Sequence, residues 1–124
     1  DLLNRLTLDE KLQLLIILSD TNKIGNMAPG KLGFMNNSLS AKESAIEYNK
    51  IAKYMKTKTK YGIVGMKSGE GIFAYMGNGS TAMPVPIAQA CSWDPAVVAS
   101  VAGVIYREAR SRGVHQVLSP VLNM

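Results

Sequence analysis

The stretch Trp93–Leu118, WDPAVVASVAGVIYREARSRGVHQVL, holds both ends of a helix and the strand that follows it. Asp94 is the N-cap candidate, and Pro95 suits the first helical position, where its missing N–H has no partner to lose. Gly113 is placed to end the helix. The buried face is predicted by apolar residues at helical spacing: Val97, Val101, Val104 and Ile105. The stretch therefore predicts the helix and second strand of a β-α-β unit.

The rest of the chain continues this alternation of helices and strands. Two capping boxes, Thr7–Glu10 and Ser40–Glu43, predict helices over about residues 8–19 and 41–56. Short apolar runs predict strands at 32–35, 61–66 and 114–118. Strands that alternate with helices indicate an α/β fold with a parallel sheet and no domain boundary inside the chain.

Composition limits the classes of function. The chain has 124 residues, 47% of them hydrophobic and 19% charged, which is typical of a globular domain. No apolar run approaches the ~20 residues of a membrane helix, so no membrane partner is expected. The single cysteine, Cys91, excludes an internal disulfide or a multi-cysteine metal site, and we expect it to be a buried apolar residue. His115 and Trp93 are likewise predicted to be core and packing residues.

A cluster of lysines contributes much of the net charge of +5. Such a cluster is compatible with a nucleic-acid or anionic surface, which would make the chain a basic interaction module. It is also typical of the solvated face of a helix, and we favour that interpretation over a nucleic-acid partner. The cluster consists of Lys50, Lys53, Lys56, Lys58 and Lys60.

A glycine-rich segment follows the predicted strand at 61–66. Its Gly69-x-Gly71-x-x-Ala74 pattern matches a dinucleotide-binding fingerprint, so a nucleotide-binding α/β module using the Gly69–Ala74 loop is an alternative function. The fingerprint requires a long helix at this point, which Gly77 and Pro84 break. Glu70 is the carboxylate placed where α/β folds carry chemistry, since it follows a strand. It is either a ligand for sugar hydroxyls or a solvent-exposed loop glutamate.

The segment Ser80–Pro95, STAMPVPIAQACSWDP, resembles the Thr-x-Phe-Pro-x-Pro-Ile-x-Leu-Ala-Ala-(Ser/Thr)-Trp-Asp-Pro stretch of glycoside hydrolase family 3. The residues that follow, REAR at 107–110 and GVHQVLSPVLN at 113–123, are similar to the continuation of that family's pattern. The opening at residues 2–11 is similar to its usual first helix. The resemblance runs in order along essentially the whole chain.

This resemblance implies an α/β fold that is the N-terminal part of a (β/α)8 TIM-type barrel, incomplete in this chain. Residues 1–124 would be the first, truncated portion of that barrel domain. The family is one of retaining exo-β-glycosidases, most often β-glucosidases, and we expect neither cofactor nor metal. Retention requires two carboxyl groups about 5 Å apart. Both lie farther along in the family, so no catalytic residue is assigned in this chain, and the fragment alone is expected to be inactive.

One functional residue carries over from the resemblance. The family has an acidic residue after the second strand, in an acidic-x-x-His-Gly context, that binds hydroxyls of the sugar. Glu70 stands at that position, with Phe73 and Ala74 in place of the His-Gly pair. We therefore expect Glu70 to bind substrate. The implied partners are a carbohydrate substrate and the remainder of the same polypeptide, and because family members are often exported, a periplasmic or secreted location is favoured.

Overall fold

The structure, a computed structural model, describes residues 1–25, 28–33 and 37–121. These residues form a mixed α/β fold. The helices are α1 (Leu2–Arg5), α2 (Leu8–Gln13), a 3-10 helix (Thr21–Lys23), α3 (Ala41–Lys58), α4 (Pro86–Ala90) and α5 (Pro95–Ser111). The strands are β1 (Ile17–Leu18), β2 (Lys31–Leu32), β3 (Met66–Glu70) and β4 (Gln116–Leu118).

The four described strands form one parallel sheet in the order β1-β2-β3-β4. Spatial order therefore follows chain order, and each connection leads to the neighbouring strand. In the register, Leu18 pairs with Leu32, Leu32 with Lys67, and Glu70 with Leu118. The predicted α/β class with a parallel sheet is confirmed.

The two faces of this sheet differ. Leu32 and Lys67 pair in register and point towards α3, where Leu32 joins a buried cluster with Tyr48 and Met55. Farther along, Val117 of β4 packs against a second buried cluster that includes Ala109 of α5. Because side chains alternate along a strand, the residues between them point to the opposite face. That face carries Met66, Ser68, Glu70, Gln116 and Leu118, and no helix in the described part of the chain is packed on it.

Local capping signals place the starts of α2, α3 and α5 where they were predicted. Ser40 and Thr7 both form capping boxes, with Glu43 and Glu10 respectively. The Asp94 side chain accepts from the Ala96 N–H, and α5 begins at Pro95. These caps depend on residues only a few positions apart, which is why sequence reveals them.

Three boundaries differ from the predictions. Helix α2 ends at Gln13 instead of near residue 19, because Ile17 and Leu18 pair with β2 as a strand. The strand predicted at 61–66 lies instead at 66–70, since α3 extends to Lys58 and Gly62 turns the chain with φ +64°. The strand predicted at 32–35 shares only Leu32 with β2, which is Lys31–Leu32, and Phe34 and Met35 lie outside the described residues.

The start of the chain is tied to the segment that follows α3. The Glu10 carboxylate accepts hydrogen bonds from Lys60 Nζ and, at 3.2 Å, from the Tyr61 hydroxyl. These contacts, the Lys60 hydrogen bond above all, lower the pKa of Glu10 to about 2. The Tyr61 hydroxyl also donates to the Arg5 carbonyl at 2.9 Å. Helix α2 is therefore fixed beside the connection that leads into β3.

Candidate functional site

Glu70 is the last residue of β3, at the carboxyl edge of the parallel sheet. It lies on the face that no described helix covers, and its side chain is half-buried. Its carboxylate makes no hydrogen bond or ion pair with any residue of the described ranges. A free carboxylate at the carboxyl end of a parallel strand is placed to accept hydrogen bonds from a ligand.

A polar pair lies one step along the strands from Glu70. The Ser68 hydroxyl donates to Gln116 Oε1 at 3.2 Å, and the two residues are register partners on β3 and β4. Ser68 is 3% exposed, and the bond to Gln116 satisfies its hydroxyl within the protein. The sheet face beside Glu70 is therefore polar at its centre, with Met66 and Leu118 at its ends.

Residues 71–85, here called the strand-end loop, join β3 to α4 without helix or strand. The loop folds back on its own strand, since the Met76 N–H donates to the Glu70 carbonyl at 3.3 Å. Tyr75, 4% exposed, inserts into the core between two glycines. A Cβ on Gly69 would lie 2.7 Å from the Tyr75 ring, and one on Gly77 would lie 2.5 Å from it.

The glycines of the Gly69–Ala74 segment thus give room to side chains of the same chain. Gly71 has the same role, because a Cβ there would lie 2.3 Å from Val117. No helix begins in this segment, and the next one, α4, starts at Pro86. The geometry gives no support to the nucleotide-binding alternative, which needs glycines open to a pyrophosphate and a helix N-terminus behind them.

A buried polar cluster lies behind the sheet, on the face opposite Glu70. Lys67 is 1% exposed, and its Nζ donates to Ser44 Oγ at 2.6 Å and to the Arg112 carbonyl at 3.1 Å. Burial lowers the pKa of Lys67, while the Glu47 carboxylate opposes that shift. The cluster joins α3, β3 and the end of α5, and no sequence pattern marked Lys67 for this position.

His115 belongs to the same cluster but is exposed, so its prediction as a core residue is wrong. Its Nδ1 accepts from the Lys67 N–H at 3.3 Å, and its ring lies 5.1 Å from that of Tyr48. Partial desolvation lowers the pKa of His115, and the charges of Arg110 and Lys67 act in the same direction. The imidazole is a structural acceptor that favours the neutral form.

Two further sequence predictions are wrong. Cys91, expected to be buried, is exposed at the end of α4. Trp93, expected to anchor packing, is 94% exposed and has φ +53° at the corner between α4 and α5. Both residues lie in the short connection between α4, which ends at Ala90, and α5, which begins at Pro95. Their side chains point away from the protein there.

The lysine cluster is solvated, as predicted. All five lysines are exposed, and Lys60 pairs with Glu10. Among the described residues no group of His, Cys, Asp and Glu could hold a metal ion. No helix within the described ranges combines the length and apolar character needed to cross a membrane.

A cavity of about 210 Å³ adjoins the carboxyl ends of β3 and β4. Gly71, Ile72 and Ser119 line it, together with apolar residues of α4 and α5. Glu70 is not among its lining residues, because the cavity lies on the helix side of the sheet. The candidate site is therefore the open face around Glu70, and the cavity is separate from it.

A comparison of the chain with protein-family models finds no match, and a search of curated proteins finds no similar sequence.

Proposed function

We propose that this chain is the first part of a (β/α)8-type barrel of a retaining exo-β-glycosidase, in which Glu70 binds hydroxyl groups of the terminal sugar. The observation that carries the proposal is the free Glu70 carboxylate at the carboxyl end of β3. It lies on the open face of a sheet whose strands run in chain order. Barrel enzymes place their sites at this edge.

The sheet supports the barrel part of the proposal. Strands added in chain order, with helices on one face only, follow the pattern in which a parallel sheet curls and closes, whereas a doubly wound sheet reverses direction and is covered on both faces. The uncovered face would then line the barrel interior. A full barrel takes about 250 residues, so the remaining strands would come from the rest of the polypeptide.

The chemistry of Glu70 suits a sugar. A carboxylate accepts up to two hydrogen bonds from adjacent hydroxyls, and charge-assisted hydrogen bonds are the stronger kind. The nucleophile and the acid/base would lie outside residues 1–124, so this chain supplies binding and not bond cleavage. The resemblance to glycoside hydrolase family 3, β-glucosidases in particular, is a second support.

The test is an assay of the whole polypeptide that contains residues 1–124, on a panel of aryl β-glycosides. We expect hydrolysis in which proton NMR detects the β-anomer first, as retention requires. Glu70→Ala should lower kcat/KM by about 10- to 100-fold, the loss of one hydrogen bond to a charged group. Asp9→Asn, an exposed carboxylate on α2, is the matched control and should leave kcat/KM unchanged.

Two results would count against the proposal. Absence of hydrolysis across the panel would reject the glycosidase, whatever the role of Glu70. Hydrolysis that Glu70→Ala leaves intact would keep the glycosidase and reject Glu70 as a ligand for the sugar.

A further inference from the structure

The strand-end loop begins immediately after Glu70, and the last turns of α5 hold its far side. The Thr81 N–H donates to one Glu108 carboxylate oxygen at 2.9 Å, and the Thr81 hydroxyl donates to the other at 2.6 Å. Both oxygens of one carboxylate are therefore committed to one loop residue. These two hydrogen bonds lower the pKa of Glu108, and the nearby Arg112 charge adds to the effect.

Arg112 holds the same loop at a second point. One guanidinium nitrogen donates to the Glu108 carbonyl and another to the Asn78 carbonyl, each at 3.0 Å. The guanidinium also lies 5.3 Å from the centre of the Tyr75 ring. Arg112 is 4% exposed, and its own carbonyl accepts from Lys67 Nζ. The buried cluster behind the sheet is thus connected through Arg112 to the strand-end loop.

We infer that Glu108 is a positioning residue for ligand binding: by holding Thr81 it fixes the strand-end loop in the shape that a ligand at Glu70 meets. The reason lies in the geometry of the loop. It has no helix or strand of its own to hold it, and its middle is anchored by Tyr75. Beyond Tyr75, two charged side chains hold the loop, Arg112 at Asn78 and Glu108 at Thr81, and Glu108 is the one that binds both the backbone and the side chain of a loop residue.

The sequence alone assigned Glu108 no such role, since charged residues at the end of a helix need none. The spacing between Thr81 and Glu108 spans all of α4 and most of α5, so the pair is visible only in the folded chain. The link to ligand binding rests on the proposed function, whereas the effect on the loop does not.

The first experiment is amide hydrogen exchange on the protein and its Glu108→Ala variant. We expect exchange at the loop amides of Asn78, Thr81 and Met83 to rise by about 10- to 100-fold, as for a lost hydrogen bond to a charged group. The amide of His115, which bonds to Lys67 in the β3–β4 ladder, should keep its wild-type rate. Arg107→Gln, an exposed neighbour on α5, is the control and should change neither.

A graded pair of variants at the partner residue sharpens this test. Thr81→Ser keeps the hydroxyl and should retain the slow wild-type exchange, whereas Thr81→Val keeps only the N–H donor and should show a rate between those of the wild type and Glu108→Ala. Unchanged loop exchange in Glu108→Ala would overturn the inference. An equal rise at the loop and at His115 would also overturn it, because Glu108 would then stabilise the whole fold and not the loop.

The second readout is kinetic, on the whole polypeptide. Glu108→Ala should raise KM for a β-glycoside by about tenfold and leave kcat nearly unchanged, because a positioning residue of this kind acts on binding. Selective loop opening with an unchanged KM would contradict the positioning role. If the wild type hydrolyses no glycoside, the proposed function fails, and the exchange data still decide whether Glu108 holds the loop.

Discussion

At the scale of single residues, Lys67 is the least expected feature of the chain. It is the second residue of β3 and lies on the helix-covered face, where apolar residues are the rule, and its side chain is buried. A buried charge is tolerated when hydrogen bonds and an opposite charge compensate for lost water. Ser44 and the Arg112 carbonyl provide the hydrogen bonds and Glu47 the opposite charge.

His115 supplies the residue-scale prediction, because it is the only histidine and gives a single NMR signal. Desolvation, Arg110 and Lys67 lower its pKa, so the fold favours the neutral ring. Its contribution to stability is fully present above the unfolded pKa near 6.5 and is lost as pH falls through the folded pKa. We expect the Cε1 proton to titrate below 6.5 and Arg110→Gln to raise that midpoint.

Arg107→Gln is the matched control for this titration, since Arg107 has the same charge on the same helix but does not contribute to the pKa of His115. It should leave the midpoint unchanged. A wild-type midpoint at or above 6.5 would show that the ring is not held as described.

Sequence reasoning succeeded at residues whose role is set by their immediate neighbours. Glu70 was expected on a loop just after a strand, and the structure has it as the last residue of β3, so its position near the carboxyl end of a strand was predicted while the strand bounds were not. Lys67 and Glu108 escaped notice because each acts through residues far along the chain. The sugar-binding role of Glu70 remains a prediction.

At the scale of elements, α5 was predicted well and β1 was not predicted at all. The start of α5 is set by Asp94 and Pro95, which act locally. Strand β1 is only Ile17–Leu18, and its conformation depends on pairing with β2 across an intervening loop. An apolar run continuous with a helix pattern does not distinguish these cases. Local caps were therefore visible in the sequence, and long-range pairing was not.

Two glycines of this region give the element-scale prediction. Gly113, just after α5, has φ +80°, and a Cβ there would lie 3.1 Å from the Tyr48 ring. Gly113→Ala should destabilise the fold by about 1–2 kcal/mol, the cost of a left-handed conformation for a residue with a Cβ. Gly103 lies inside α5, where the nearest group to an added Cβ is the flexible end of Arg107 at 3.3 Å.

Gly103→Ala should therefore stabilise the fold by up to about 1 kcal/mol, through helix propensity. Urea denaturation of the two variants measures both effects. We expect Gly113→Ala to lower the unfolding midpoint and Gly103→Ala to raise it, and the two shifts need not be equal in size. A stable Gly113→Ala variant would contradict the described end of α5.

At the scale of the whole molecule, the chain exposes more surface than its mass requires. Its accessible area is 7988 Å², whereas a folded monomer of this mass has about 6,500 Å². Large apolar side chains are exposed on α1, α2, α4 and α5 and on the segments that follow α2 and α4, with Leu8, Leu15, Ile87 and Trp93 each more than 70% exposed. These faces are available for further structure to cover, as the barrel proposal requires.

The single tryptophan reports on this surface. We expect Trp93 in residues 1–124 to emit like free tryptophan in water and to be fully quenched by acrylamide, because its ring is 94% exposed. Tyr75→Phe, a change in the core, should leave both properties unaltered. A blue-shifted, poorly quenched emission from the wild type would mean that Trp93 is covered.

The central claim is that Glu70 binds a hydroxyl of the sugar. It is tested most directly by a thermodynamic cycle, analogous to a double-mutant cycle, that combines a substitution in the protein with the removal of a hydroxyl from the sugar. kcat/KM would be measured for the whole polypeptide and its Glu70→Ala variant, on an aryl β-glucoside and on its deoxy analogues. If Glu70 binds a hydroxyl, Glu70→Ala lowers kcat/KM about 10- to 100-fold on the full sugar and has little effect on the analogue lacking that hydroxyl. An equal loss on every analogue, or no loss on any, would contradict the account.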